Sequence, residues 1–191
     1  MSILEIISAL ISIIAVYLTV KQKIICFPLG IVSVALYFYI FYDAKLYADM
    51  ALQLFYIAML IYGWYNWLFK KTDKEELKVT KLKLKDYPLP FIVVILFAIA
   101  LGIILHHLTD ASLPYIDALT TSLSLFAQWL VAKKKIENWA VWIIADAIYV
   151  GMYIYKELYA TSILYLIFII LAIKGLIEWK KAMNLHTHII N

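Results

Sequence analysis

The sequence predicts an all-α integral membrane protein with seven transmembrane helices, built as two parallel three-helix repeats around one linking helix. Three observations predict this 3+1+3 class. The 191 residues are 65% hydrophobic and 16% charged, with a mean hydropathy of +0.88, whereas soluble domains are about 45–50% apolar and about 25% charged. Apolar runs of 18 or more residues recur along the chain. Finally, an early part of the chain matches a late part at one constant offset.

The seven predicted spans have 18 to 24 residues each, enough at 1.5 Å per residue to cross about 30 Å of hydrocarbon. They cover residues 3–20, 24–42, 46–69, 88–108, 115–132, 138–155 and 158–179. The first run lacks the basic segment and the small-residue cleavage site of a signal peptide, so a retained helix is predicted. The charged stretch 70–86 is predicted to be a solvated or interfacial cytoplasmic linker.

Lysines set the predicted orientation, since the chain has no arginine. With the N-terminus outside, the inner loops hold fourteen lysines and the outer loops hold only Lys45 and Lys156. Positive charge accumulates on the cytoplasmic side of membrane proteins. The N-terminus is therefore predicted to lie outside and the C-terminus in the cytoplasm.

An internal duplication is the second organising feature of the chain. Residues 12–67 align with residues 124–179 without a gap, at an offset of 112, with 18 identities in 56 positions. The matched pairs include Lys21/Lys133, Tyr37/Tyr149, Gly63/Gly175 and Trp67/Trp179. Each copy has three spans and one further helix separates them, so both copies run the same way through the membrane. Parallel repeats of this kind occur in SWEET-type transporters.

The spans and the duplication divide the chain into four parts. The first repeat is residues 1–71, the charged linker with the linking helix is 72–112, the second repeat is 113–181, and a cytoplasmic tail is 182–191. Trp67 and Trp179, at the inner ends of matching helices, are predicted to be anchors at the membrane interface. The single cysteine, Cys26, excludes an internal disulfide and a multi-cysteine metal site.

The strongest functional signal is a carboxylate near the middle of the sixth span. A charge in hydrocarbon costs about 2.5–3.5 kcal/mol on insertion scales, so Asp146 is a candidate binding residue. Trp139, Trp142, Tyr149 and Tyr153 share its helical face. An aromatic wall with one negative charge suits a flat, cationic heteroaromatic solute. The alternative is a structural salt bridge with Lys174, which lies nearer the cytoplasmic end.

Polar side chains in other spans supply further candidates, because polar groups in lipid must face protein or water. These candidates are Asp49 and Gln53 in the third span, Ser124 and Gln128 in the fifth, and Tyr165 in the seventh. The alternative for Ser124 is interhelical hydrogen bonding, and for Asp49 it is hydration near the outer interface. The two glutamine amides are more costly to bury without partners.

The sequence argues against a membrane enzyme and against a signalling receptor. An enzyme needs two or more ionisable groups clustered at one depth, and the spans offer one mid-span carboxylate. The loops are too short for an effector domain, and no GxxxxGK[ST] phosphate-binding loop occurs. A transporter without catalytic residues, metal or cofactor is therefore predicted, with membrane lipid around it and no nucleic-acid partner.

Two segments resemble the PnuC-type vitamin transporters, whose main members carry nicotinamide riboside. They are FPLGIVSVALYFYIFYDAKLYADMALQLFYIAMLIYGWYNW and AQWLVAKKKIENWAVWIIADAIYVGMYIYKELYATSILYLIFIILAIKGLIEW, and the WxxW pair after Asn138 is the most specific part. The resemblance implies a SWEET-like bundle in a bacterial inner (plasma) membrane, with a midplane substrate site between the repeats. It also implies a homotrimer with one pathway per protomer. Transport would be facilitated diffusion, and a cytoplasmic kinase would trap the vitamin.

On this hypothesis the candidate residues take specific roles toward nicotinamide riboside. Trp139 and Trp142 would stack on the pyridinium ring, and Asp146 would supply negative potential. Hydrogen bonds to the ribose or carboxamide would come from Asn138, Gln128 and Gln53, and the candidate set is completed by Tyr149, Ser124, Asp49 and Tyr165. Thiamine, another cationic heteroaromatic vitamin carried by related members, is the alternative cargo. Riboflavin is neutral and larger, which fits the lone carboxylate less well.

Overall fold

Seven α-helices account for most of the residues that the computed structural model describes, which are 3–43, 47–69, 77–109 and 112–190. The side chains of residues 47–49, 51, 84 and 186–190 fall outside this description. The helices are α1 (Ile3–Val20), α2 (Cys26–Asp43), α3 (Tyr47–Phe69), α4 (Pro88–Leu108), α5 (Pro114–Ala132), α6 (Asn138–Tyr155) and α7 (Tyr159–Ile190). A short 3₁₀ turn at Leu84–Asp86 precedes α4.

All seven predicted helices are present, and α1, α4 and α6 have the predicted bounds. Helix α7 differs, because it continues to Ile190 beyond the span predicted at 158–179. Four helices, α1, α2, α4 and the Tyr159–Leu185 part of α7, are long and apolar enough to cross a membrane. The other three helices, α3, α5 and α6, carry more polar residues.

The helices pack as two groups of three with one helix outside. Helices α1, α2 and α3 pack in sequence, as do α5, α6 and α7. The groups meet where α1 packs against α7 and α3 packs against α5, while α4 packs on α5. Among the described residues α2 and α6 do not pack on each other. A space is therefore left between these two helices.

Two tryptophans join the groups crosswise. The Trp67 Nε1–H donates to the carbonyl of Val131 at 3.1 Å, and the Trp179 Nε1–H donates to the carbonyl of Thr19 at 3.2 Å. Each indole thus satisfies a carbonyl near the C-terminal end of a helix in the other group, where helices leave carbonyls without partners. Trp67 is 8% exposed and Trp179 is 0% exposed. The prediction that they are interfacial anchors is therefore wrong.

Close packing of an aromatic ring against a glycine also occurs twice, at positions 112 residues apart. A Cβ at Gly63 would lie 2.5 Å from Cε1 of Phe27, and a Cβ at Gly175 would lie 2.5 Å from Cε2 of Trp139. Each glycine therefore lets a buried aromatic ring lie directly against a helix backbone. The Phe27 ring also contacts Trp67 edge to face, at 4.9 Å between centroids, and the Trp139 ring contacts Trp179 in the same way at 5.3 Å. We call this end of the bundle the tryptophan end.

Part of the predicted linker docks at the tryptophan end. In residues 77–83 the Thr80 N–H donates to the carbonyl of Lys134, and the Ile136 N–H donates to the carbonyl of Thr80, both at 3.1 Å. Val79 is buried in the apolar cluster that contains the tryptophans. The apolar side of this segment therefore packs on the protein, while Thr80, Lys81 and Lys83 are exposed. That the segment is a solvated or interfacial cytoplasmic linker stays a prediction. The prediction for residues 70–76 lies outside the described part.

Candidate functional site

An elongated cavity of about 680 Å³ lies between the two groups of helices. Side chains from α1, α2, α3, α5, α6 and α7 line it, and none of the described lining residues belongs to α4. Along α6 the lining runs from Trp139 to Tyr153, which corresponds to about 21 Å at 1.5 Å per residue. Its volume lies within the range of small-molecule sites, about 300–1,000 Å³.

The structure brings eight of the ten predicted site residues to this cavity. They are Gln53, Ser124, Gln128, Trp139, Trp142, Asp146, Tyr149 and Tyr165. Asn138 is buried but is not part of the lining, and its Nδ2 donates to the carbonyl of Lys135 at 2.6 Å. Asn138 therefore stabilises the turn between α5 and α6. Asp49 belongs to α3, and its side chain lies outside the described part.

Asp146 is a buried carboxylate on the cavity wall. Only 3% of the residue is exposed, and within the described residues no ion pair and no hydrogen bond reaches it. The predicted alternative partner, Lys174, instead holds Nζ 5.2 Å from the centroid of the Tyr17 ring. A buried charge is costly unless something pairs with it. The arrangement therefore favours a cationic ligand as the partner of Asp146.

The two tryptophans of the WxxW pair have different surroundings. Trp139 is 2% exposed, and its ring lies against Gly175 and meets the Trp179 ring edge to face. Trp142 is half-buried, packs against the apolar cluster and also lines the cavity. Trp142 therefore offers more ring surface for stacking, whereas most of the Trp139 ring is occupied in closing the tryptophan end.

One buried polar atom on the lining, the Nε1 of Trp139, has no hydrogen-bond partner among the described residues. Leaving such a donor buried without a partner costs about 1–3 kcal/mol. A polar ligand in the cavity could accept this hydrogen bond.

The sequence predicted only part of an aromatic cluster that lies farther from the tryptophan end. The Tyr165 ring lies 4.6 Å from Tyr149, 5.2 Å from Tyr153 and 5.7 Å from Phe168, measured between centroids. Tyr153 and Phe168 line the cavity but were not in the predicted site. Tyr153 was predicted to share the α6 face of Asp146 but was not assigned to the site. Phe168 could not be placed without knowing how α6 and α7 pack.

The first group of helices also contributes lining residues that were not predicted. Ser12 and Tyr37 line the cavity, and they lie 112 residues before Ser124 and Tyr149. Extending the predicted site by the repeat offset would have found both. Glu5, near the start of α1, is a second acidic lining residue.

Comparison with known proteins agrees with this geometry. A family model described as "Nicotinamide mononucleotide transporter" matches residues 2–181. The chain belongs to this family. With several apolar helices, it is a multi-pass membrane protein, and the predicted resemblance to the PnuC-type transporters is confirmed.

Alignments with individual members of the transporter family cover nearly the whole chain. The nicotinamide riboside transporter PnuC of Escherichia coli K12 is 28% identical over 205 residues, covering 92% of this chain and 84% of that protein. The protein of the same name from Neisseria mucosa is 27% identical and covers 95% of this chain and 73% of its own length. A crystal structure of the vitamin B3 transporter PnuC matches with a TM-score of 0.78 and 26% identity, over 96% of this chain and 83% of that one.

Proposed function

We propose that this chain carries nicotinamide riboside across a bacterial inner membrane by facilitated diffusion and binds it in the cavity between the helix groups. The observation that carries the proposal is the buried carboxylate of Asp146, which has no ion-pair or hydrogen-bond partner among the described residues and lies on an aromatic-lined wall. Nicotinamide riboside contains a planar pyridinium cation, which matches both features. The relatives named as nicotinamide riboside transporters support the same substrate.

The charge of the lining favours the riboside over the mononucleotide. Among the described lining residues the acidic side chains are Glu5 and Asp146, and none is a lysine or an arginine. Phosphate sites in proteins use arginine, lysine or helix N-termini. A negative cavity would repel the phosphorylated product. Phosphorylation by a cytoplasmic kinase would then trap the vitamin inside the cell.

The proposed roles follow from the position of each lining residue. The half-buried face of Trp142 stacks on the pyridinium ring, and Asp146 offsets its charge. The amides of Gln53 and Gln128 and the hydroxyl of Ser124 bind the ribose hydroxyls or the carboxamide. Thiamine, like nicotinamide riboside, contains a cationic heteroaromatic ring, so it is the competing cargo.

The proposed scaffold is a SWEET-like 3+1+3 arrangement of two parallel repeats and a linking helix. All seven helices cross the membrane, and the N-terminus lies outside. The crosswise bonds of Trp67 and Trp179 and the matched glycine contacts support it, because each recurs at the sequence offset of 112. Alternating access would come from one three-helix group rocking against the other around the cavity. The homotrimer that the family resemblance implies is part of the proposal.

Calorimetric titration of the purified protein in detergent tests the substrate assignment. Nicotinamide riboside should bind with micromolar affinity, whereas nicotinamide mononucleotide and the reduced riboside should bind at least about tenfold more weakly. The mononucleotide adds a phosphate, and the reduced riboside loses the ring charge at nearly the same shape. Thiamine and riboflavin are titrated in parallel. Micromolar thiamine binding with no heat from the riboside would overturn the assignment.

A further inference from the structure

The two three-helix groups differ at one depth in the cavity. In each group a different helix carries the bulky side chain there. Gly30 on α2 and Leu60 on α3 correspond, at the offset of 112, to Trp142 on α6 and Ala172 on α7. All four residues line the cavity. In the first group the bulk therefore comes from the third helix. In the second group it comes from the middle helix.

The contacts show how the first group fills this level. A Cβ at Gly30 would lie 3.1 Å from Cδ2 and 3.4 Å from Cδ1 of Leu60. The end of the Leu60 side chain thus lies against the backbone of α2. Any larger residue at position 30 would push Leu60 away, and Leu60 already borders the cavity.

The second group shows the reverse arrangement. Ala172 is 2% exposed and belongs to the buried apolar cluster, and Trp142 packs against that cluster. The small side chain at 172 leaves room for the indole on the neighbouring helix. The result is a broad aromatic face on α6 and, at the matching position of α2, a glycine without a side chain.

We propose that Gly30, together with Leu60, determines which planar rings can lie on Trp142. This proposal rests on the proposed function and adds to it a determinant of the size of the bound ring. Position 30 on α2 and position 142 on α6 are equivalent in the two groups, and both residues line the cavity. Bulk added at position 30 pushes Leu60 toward the cavity and leaves less space beside Trp142 for a planar ring.

Transport assays on three variants test the proposal. Gly30→Val should raise the KM for nicotinamide riboside about tenfold, because overpacking displaces Leu60 into the cavity. The double variant Gly30→Val/Leu60→Ala should return KM to within about threefold of wild type, since valine plus alanine fills nearly the volume of glycine plus leucine. The control is Gly151→Val on α6, where an added Cβ meets nothing within 4 Å and KM should not change.

Thermal unfolding of each variant accompanies the assay, so that loss of transport is not mistaken for loss of fold. If Gly30→Val does not fold, Gly30→Ala replaces it, with an expected rise in KM of about threefold. An unchanged KM in the folded single variant overturns the proposal. A folded double variant with a KM as high as that of the single variant does so as well. Wild type without riboside transport would instead contradict the proposed function.

Discussion

Replacing Asp146 by asparagine is expected to remove most nicotinamide riboside binding while leaving the folded protein at least as stable. Two unit charges 4 Å apart attract by about 4 kcal/mol at an effective dielectric constant of about 20, and by about half of that at twice the distance. Loss of this attraction corresponds to a fall in affinity of about 30-fold to 1,000-fold. The side chain is buried without a partner among the described residues, so removing its charge also removes a cost to folding.

The measurement for Asp146→Asn is riboside binding by calorimetry together with thermal unfolding in detergent. Asp117→Asn is the matched control, because Asp117 lies outside the cavity lining and pairs with Lys156 at 3.5 Å. That pair is partly exposed, so its loss should lower the free energy of unfolding by about 0–1 kcal/mol and leave binding unchanged. Equal riboside affinity in Asp146→Asn and wild type would mean that the cation binds elsewhere.

Alanine at Gly63 or Gly175 is expected to lower the stability of the protein substantially. The added Cβ would lie 2.5 Å from a ring atom of Phe27 in the first case and of Trp139 in the second. Both rings are buried and fixed by edge-to-face contacts with tryptophans, so they cannot move away freely. Overpacking of this kind costs about 1–3 kcal/mol.

Both glycine variants should also weaken riboside binding. Gly63→Ala displaces Phe27 and Gly175→Ala displaces Trp139, and both rings line the cavity, so riboside affinity should fall together with the melting temperature. The control is Gly151→Ala, which should stabilise the protein by about 0.5–1 kcal/mol because alanine favours a helix and the site is open. If all three variants melt at the same temperature, the tight ring contacts are not formed.

The helices and the central carboxylate were predictable because their signals are local. Long apolar runs indicate where the helices lie. Asp146 stands out in the sequence because an unpaired charge within a membrane span is energetically costly. The repeat offset added information about distant contacts, since residues related by it make the same contact in both groups.

The roles of Trp67, Trp179 and residues 77–83 depend on distant partners and could not be read from hydropathy. An indole at the end of an apolar helix has the same local pattern whether it faces lipid headgroups or donates to a carbonyl of another helix. Trp67 meets its carbonyl 64 positions away along the chain. Likewise, Asn138 follows a basic turn and looks available for a ligand, but its amide donates to the backbone of that same turn.

Uptake by proteoliposomes tests the central claim most directly. The purified chain is reconstituted into lipid vesicles, and entry of labelled nicotinamide riboside is followed without ATP and without an ion gradient. The riboside should equilibrate across the membrane, Asp146→Asn should not carry it, and accumulation should appear only when a riboside kinase and ATP are enclosed. No entry in wild-type vesicles, or accumulation driven by an ion gradient alone, would contradict facilitated diffusion through this cavity.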